Sequence, residues 1–82
     1  MDWTIYILRC RDDSLYTGIT NDLDRRLAAH ESGAASRYTR SRRPVKLAWS
    51  EPSSDRSAAL KREAEIKRMS RPAKMELIRR LA

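Results

Sequence analysis

The sequence predicts an α/β sandwich: a three-stranded, largely antiparallel sheet flanked by helices, in the order ββαβαα. Three observations carry the prediction. Two short runs rich in β-formers, residues 3–10 and 15–20, are separated only by polar turn residues, which reads as a hairpin. A third β-rich run, residues 45–50, follows Pro44. Around it, apolar residues recur at helical spacing in residues 22–31, 54–69 and from Ser70 to the end.

Each element has a local reason. Residues 3–10 alternate and carry Trp3, Ile5, Tyr6 and Ile7, all strand formers. Arg11, Asp12, Asp13 and Ser14 make the turn, and residues 15–20 return as the second strand. Asn21 is a good N-cap for the first helix, whose inner stripe is Leu23 and Leu27. Small residues 32–36 form a loop, and residues 37–43 are a basic stretch holding Tyr38. Glu51, Pro52, Ser53 and Ser54 break the chain after the third strand. The long helix then runs over residues 54–69. Ser70 caps the last helix, with Pro72 in its first turn and Leu77, Ile78 and Leu81 facing inward.

Eighty-two residues are expected to form one domain spanning 1–82. The lone cysteine, Cys10, excludes an internal disulfide and reads as a small, half-buried strand residue. No apolar run approaches the roughly 20 residues of a membrane span. The opening MDWTIYILRC lacks the charged start and cleavage site of a signal peptide, so a reducing cytoplasm is expected. The net charge of +7, from 18 basic and 11 acidic residues, favours a polyanionic partner, with nucleic acid ahead of an anionic membrane surface.

The residue that stands out is Glu63. In the long helix Ala59, Leu60, Ala64 and Ile66 form one apolar arc, and Glu63 falls near its middle. A carboxylate aimed at a core is costly unless paired or bound to a cation. The ordinary reading is an ion pair with Arg56, Lys67 or Arg26. The functional reading is a ligand for a hard ion such as Mg²⁺ or Mn²⁺, which one or two carboxylates hold together with water and substrate phosphate.

Arg26 and His30 stand four residues apart and share a helix face bordering the Leu23/Leu27 stripe, whereas Arg25 points nearer to solvent. Arg26 suits a phosphate clamp. His30, the only histidine, reads more simply as a charge partner for a helix C-terminus than as a catalyst. Tyr6 and Tyr16 lie in the paired strands. A two- or four-residue turn sets Tyr6 opposite Ile19 and the phenols on opposite faces. A three-residue loop, Arg11-Asp12-Asp13, pairs Leu8 with Tyr16 and Tyr6 with Gly18, so both hydroxyls share a face and glycine leaves a hollow beside Tyr6. The three-residue loop is the expectation, with Asp13 in the left-handed position. A metal carboxylate, a phosphate clamp, two phenols and a basic surface together suit phosphodiester hydrolysis. The basic surface is Arg37, Arg40, Arg42 and Arg43 with Lys46 nearby, suited to gripping a nucleic-acid backbone. Tyr38 among them suits stacking on an unpaired base.

These motifs resemble the GIY-YIG endonuclease family. Thr4-Ile5-Tyr6 stands at the first motif and Tyr16-Thr17-Gly18 at the second, with a tyrosine spacing close to the family's. Leu23 to Leu27, with His30, is similar to its arginine helix, the arginine falling on Arg26. Glu63, followed by Ile66 and Lys67, is similar to its metal-binding glutamate. Thr4 replaces the first glycine and Thr17 the middle residue of the second motif, and a strand accepts both. Asn21 is the only asparagine, so the family's late asparagine has no counterpart. The resemblance covers essentially the whole chain and implies a stand-alone catalytic domain like the small bacterial members.

The resemblance implies a divalent-metal-dependent endonuclease. One Mg²⁺ or Mn²⁺ ion sits on Glu63, and Arg26 neutralises the phosphate. Tyr6 or Tyr16 helps deprotonate water, with Tyr6 the first choice, and His30 receives or orients that proton. DNA is the expected substrate, chosen by structure rather than sequence because so small a domain has little surface for reading bases. RNA is a variant, and repair or recombination is borrowed from relatives. The competing readings are a non-catalytic nucleic-acid-binding module of the same fold and a docking subunit using Leu77, Ile78 and Leu81. The sequence gives no sign of an obligate protein partner or of membrane attachment.

Overall fold

The hairpin comes first in the chain and sets the geometry of everything after it. The structure, a computed structural model, describes residues 2–81 and the side chains of residues 2–80. Strands β1 (Trp3–Arg9) and β2 (Leu15–Thr20) pair antiparallel with Tyr6 opposite Gly18 and Leu8 opposite Tyr16. The Cys10 N–H donates to the Ser14 carbonyl at 2.9 Å, enclosing Arg11, Asp12 and Asp13 as a three-residue loop. Asp13 takes the left-handed conformation, with φ 70°. A one-residue change in that loop would put one tyrosine on the wrong face, so the loop length is what brings the two phenols together.

The remaining elements are α1 (Leu23–Ser32), α2 (Arg37–Arg40), β3 (Lys46–Ser53), α3 (Arg56–Arg68) and α4 (Arg71–Leu81). The sheet order is β2-β1-β3, antiparallel throughout, with β1 central. The expected ββαβαα order holds, with one addition. The basic stretch contains a single helical turn, α2, whose N-cap Ser36 accepts the Thr39 N–H on its side chain at 3.1 Å.

Four local expectations are corrected. The N-cap of α1 is Asp22, whose carboxylate accepts the Arg25 N–H at 3.2 Å, because Thr20 Oγ1 accepts the Asp22 N–H and turns the chain one residue later than Asn21. The third strand runs on through Glu51, Pro52 and Ser53 instead of breaking there. As an edge strand it tolerates proline, and Glu51 is held at 2.8 Å by Arg62 of α3. The long helix starts after its N-cap Asp55, two residues later than expected. Its apolar arc is also narrower: Ala59 and Ile66 are buried, whereas Leu60 and Ala64 are exposed. Ser70 does cap α4, accepting the Ala73 N–H at 3.3 Å.

Alternation divides the sheet into two working faces. Ile5 and Ile7 point to one side and form the core with Trp49, Ala59 and Ile66, onto which Met69, Leu77 and Ile78 pack. Leu77 and Ile78 are therefore used by this chain's own core, and the Leu81 side chain lies outside the described residues. Tyr6 and Leu8 point to the other side, together with their cross-strand partners Gly18 and Tyr16, and meet α1 and α2 there. Cys10, just after β1, is a buried free thiol. No helix among the described residues is long and apolar enough to cross a membrane.

Candidate active site

Tyr6 leaves the central strand and fits over Gly18. A Cβ at position 18 would stand 2.6 Å from the Tyr6 hydroxyl and 2.7 Å from its Cζ, so only glycine leaves room for the ring. The Tyr6 hydroxyl meets His30 Nε2 at 2.8 Å. The opposite ring nitrogen, Nδ1, meets Thr39 Oγ1 at 2.8 Å. Tyr6, His30 and Thr39 each have 0% exposure. Tyr16, half-buried, closes the cluster. Its ring meets His30 edge-on at 5.1 Å and lies 6.5 Å from Tyr6.

His30 is thus a buried connector between β1 and α2, and the reading as an exposed charge partner for a helix end is corrected. Burial, and then the positive charge of Arg26, hold its pKa below the ordinary histidine range, so the ring is neutral. Burial likewise pushes the Tyr6 phenol up, while the Arg26 guanidinium beside it pulls in the opposite direction.

Arg26 is brought to both phenols, as its spacing from His30 predicted. Tyr6 first, and then Tyr16, raise its pKa above the usual guanidinium value. Its Nε is buried without a hydrogen-bond partner, an N–H aimed at nothing in a protein that satisfies most such groups. One side of Arg26 borders an open hollow of about 520 Å³ whose wall includes Thr20, Asn21 and Arg25. A guanidinium that borders open space suits an anion.

Glu63 comes from α3 with only 18% of its side chain exposed, on the same side of the helix as buried Ala59 and Ile66. Its one ion pair among the described residues is with exposed Lys67, at 3.5 Å. Its charge is felt at Tyr6, whose ionisation it opposes. Among the described residues no three His, Cys, Asp or Glu side chains gather into a cage. A single half-sheltered carboxylate fits a hard divalent ion whose other positions belong to water and substrate phosphate, and does not fit a closed structural site.

The basic stretch divides in two. Arg37, Arg40 and Lys46 are exposed and make no ion pair among the described residues. Arg42 is committed inside the molecule: it pairs with Asp12 at 3.0 Å and lies 3.9 Å over the Tyr38 ring. Arg43 donates to the Arg40 carbonyl at 3.0 Å and the Glu31 carbonyl at 3.2 Å, tying α2 to the end of α1. Tyr38 stacks 6.0 Å from Tyr16 with Arg42 over its ring, yet stays exposed. Sequence reasoning missed Thr39 and Ser36. The available signal was Ser36 as an N-cap three residues before Thr39, hidden within a run read only for its charge.

Known proteins share this fold. Residues 2–76 match the GIY-YIG catalytic domain. A UPF0213 protein of Staphylococcus haemolyticus is 46% identical over 74 residues, covering 90% of each chain. A UPF0213 protein of Syntrophus aciditrophicus is 51% identical over 76 residues, covering 92% of this chain and 87% of that one. The solution NMR structure of a UPF0213 protein from Bacillus halodurans superposes with a TM-score of 0.62 at 41% identity. It covers 95% of this chain and 83% of its own.

Proposed function

Because the chain belongs to the GIY-YIG family, whose catalytic domain matches residues 2–76, we propose that it is a divalent-metal-dependent endonuclease acting on DNA. The observation that carries the proposal is one guanidinium, Arg26, acting on both phenols beside an open hollow, with the Glu63 charge in range of Tyr6.

The Arg26 guanidinium donates to a non-bridging oxygen of the scissile phosphate and neutralises charge as it builds there. Glu63 is the residue that holds a Mg²⁺ or Mn²⁺ ion, which when bound stabilises the phosphate and the departing 3′ oxygen. Water attacks phosphorus and passes a proton to a tyrosine oxygen that has released its own to solvent, the P–O3′ bond breaks, and the departing 3′ oxygen takes up a proton from solvent. Of the two phenols, Tyr16 suits that role better than Tyr6, which reverses the preference drawn from sequence. Tyr6 is fully buried and its hydroxyl is taken by His30, whereas Tyr16 is half-exposed. Arg26 is the cation that acts on Tyr16 as well as on Tyr6. Tyr6 and His30 then hold Arg26 and Tyr16 in register.

Arg37, Arg40 and Lys46 grip the backbone without regard to sequence, and so small a surface favours substrates chosen by shape. The test is a cleavage panel of flaps, forks, junctions, single strands and RNA, with and without Mg²⁺ or Mn²⁺. A Glu63→Gln control excludes contaminating nuclease. Metal-dependent cutting of branched DNA that the control lacks is the expected result. Metal-dependent binding with no cutting of any substrate would leave a nucleic-acid-binding module. Preferred cutting of RNA would move the substrate class.

A further inference from the structure

We infer that Thr39 is a positioning residue: by accepting the Nδ1–H of His30 it fixes the tautomer that leaves Nε2 bare to accept the Tyr6 hydroxyl proton. The inference deepens the nuclease reading, and its kinetic half rests on that reading.

His30 reaches Tyr6 with Nε2 and Thr39 with Nδ1, each at 2.8 Å. A neutral imidazole has one N–H, so one of these bonds is donated by the ring and the other accepted. The neighbours decide which. The Arg26 guanidinium, which only donates, also acts on the Tyr6 hydroxyl and favours its ionisation. If Nε2 carried the proton, the Tyr6 oxygen would face two donors and its own hydroxyl proton would point at neither a ring nitrogen nor a carbonyl, at 0% exposure. With Nε2 bare, that proton has its acceptor, and the phenol oxygen keeps its lone pairs for Arg26. At the far end the same assignment is satisfied. Thr39 Oγ1 accepts from Nδ1 and turns its own proton toward Ser36, whose Oγ is 3.1 Å away and whose carbonyl is 3.5 Å away.

The chain of contacts therefore runs from the N-cap of α2 to the phosphate clamp: Ser36, Thr39, His30, Tyr6, Arg26. This gives the single-turn α2 a purpose that its charge does not. It carries one buried hydroxyl to the back of a histidine, as a second layer orients a working layer elsewhere. Thr39 touches neither substrate nor metal in this account and acts only through His30.

His30 is the only histidine in the chain, so its two ring nitrogens give an unambiguous pair of signals in long-range ¹H–¹⁵N spectra. Wild type and Thr39→Ser should both show a protonated Nδ1 and a bare Nε2 at neutral pH. Thr39→Val, which keeps the shape and removes the hydroxyl, should shift the ring toward the Nε2–H form. In single-turnover cleavage the valine variant should be slower by roughly tenfold to a hundredfold with little change in KM, and the serine variant should recover the rate. A wild-type ring protonated on Nε2 overturns the inference, as does a valine variant with an unchanged tautomer. If the valine variant does not fold, the wild-type and serine spectra still decide. Should wild type cut no nucleic acid at all, the nuclease reading fails while the tautomer measurement stands by itself.

Discussion

Gly18→Ala is a one-carbon change that tests how the site is built. The new Cβ would stand 2.6 Å from the Tyr6 hydroxyl, 2.7 Å from Cζ and 3.2 Å from Cε1. The first two are closer than real Cβ contacts, and the obstructing atoms belong to a rigid ring with 0% exposure. Tyr6 must swing away or the hairpin must splay. Overpacking of this kind costs about 1–3 kcal/mol. Losing the buried bond to His30, at 2.8 Å, adds about 1 kcal/mol. The sum, about 2–4 kcal/mol, is a large part of the roughly 4–12 kcal/mol expected for a domain of this length. It corresponds to a fall in Tm of about 10–20 °C. Urea and thermal unfolding of Gly18→Ala read the loss directly. Tyr6→Leu and the double variant then close a cycle. The double variant should be markedly more stable than the sum of the single losses, because the leucine removes the ring that the methyl group strikes. Additive losses, or a Gly18→Ala protein as stable as wild type, would show that Tyr6 does not lie over Gly18.

Four further outcomes follow from the same geometry. His30 has its pKa held below the ordinary value, so the unfolded chain binds the extra proton as pH drops below about 6.5, and stability falls with it. Urea midpoints between pH 7.5 and 5.5 should decline in wild type, and the decline should flatten in His30→Gln even though that variant is weaker overall. Arg26→Lys keeps the charge and loses the planar donor set, so kcat should fall by about 10²-fold while the salt dependence of DNA binding stays put. An active lysine variant would mean that charge alone suffices. Neutralising Arg37, Arg40 and Lys46 to Gln should flatten the slope of log K against log salt by up to about 2.7, at about 0.9 per lost phosphate contact. Arg42→Gln should instead lower stability, since that side chain is spent on Asp12 and Tyr38.

The parts of the site legible in the sequence were those governed by counting. Strand alternation and loop length allowed Tyr6 and Tyr16 one shared face only if the loop held three residues, and it does. Helical spacing put Arg26 and His30 on one side, and both meet Tyr6. Glu63 was conspicuous because a carboxylate broke an apolar stripe, and its low exposure agrees. What was hidden depends on neighbours distant in the chain. The inward turn of His30 is fixed by Thr39, nine residues on, and by a strand 24 residues back. The run of residues 37–43 reads as uniform charge, yet Arg42 and Arg43 are tied down while Arg37 and Arg40 are free to meet a ligand. A four-residue helix such as α2 has too short a period to be read from apolar spacing. The exposure of Leu60 and Ala64 records a rotation of α3 set by how Ala59 and Ile66 seat on the sheet, which the helix alone does not specify.

Glu63 serves the chemistry and is not needed to hold the nucleic acid or the fold. Single-turnover cleavage of a branched DNA at saturating protein, with Mg²⁺ varied, compares wild type with Glu63→Gln most directly. The account predicts a rate in wild type that rises with Mg²⁺ and saturates. In the variant it predicts a rate lower by at least about 10²-fold with DNA affinity and unfolding midpoint preserved. Equal Mg²⁺-dependent rates in the two proteins would contradict it.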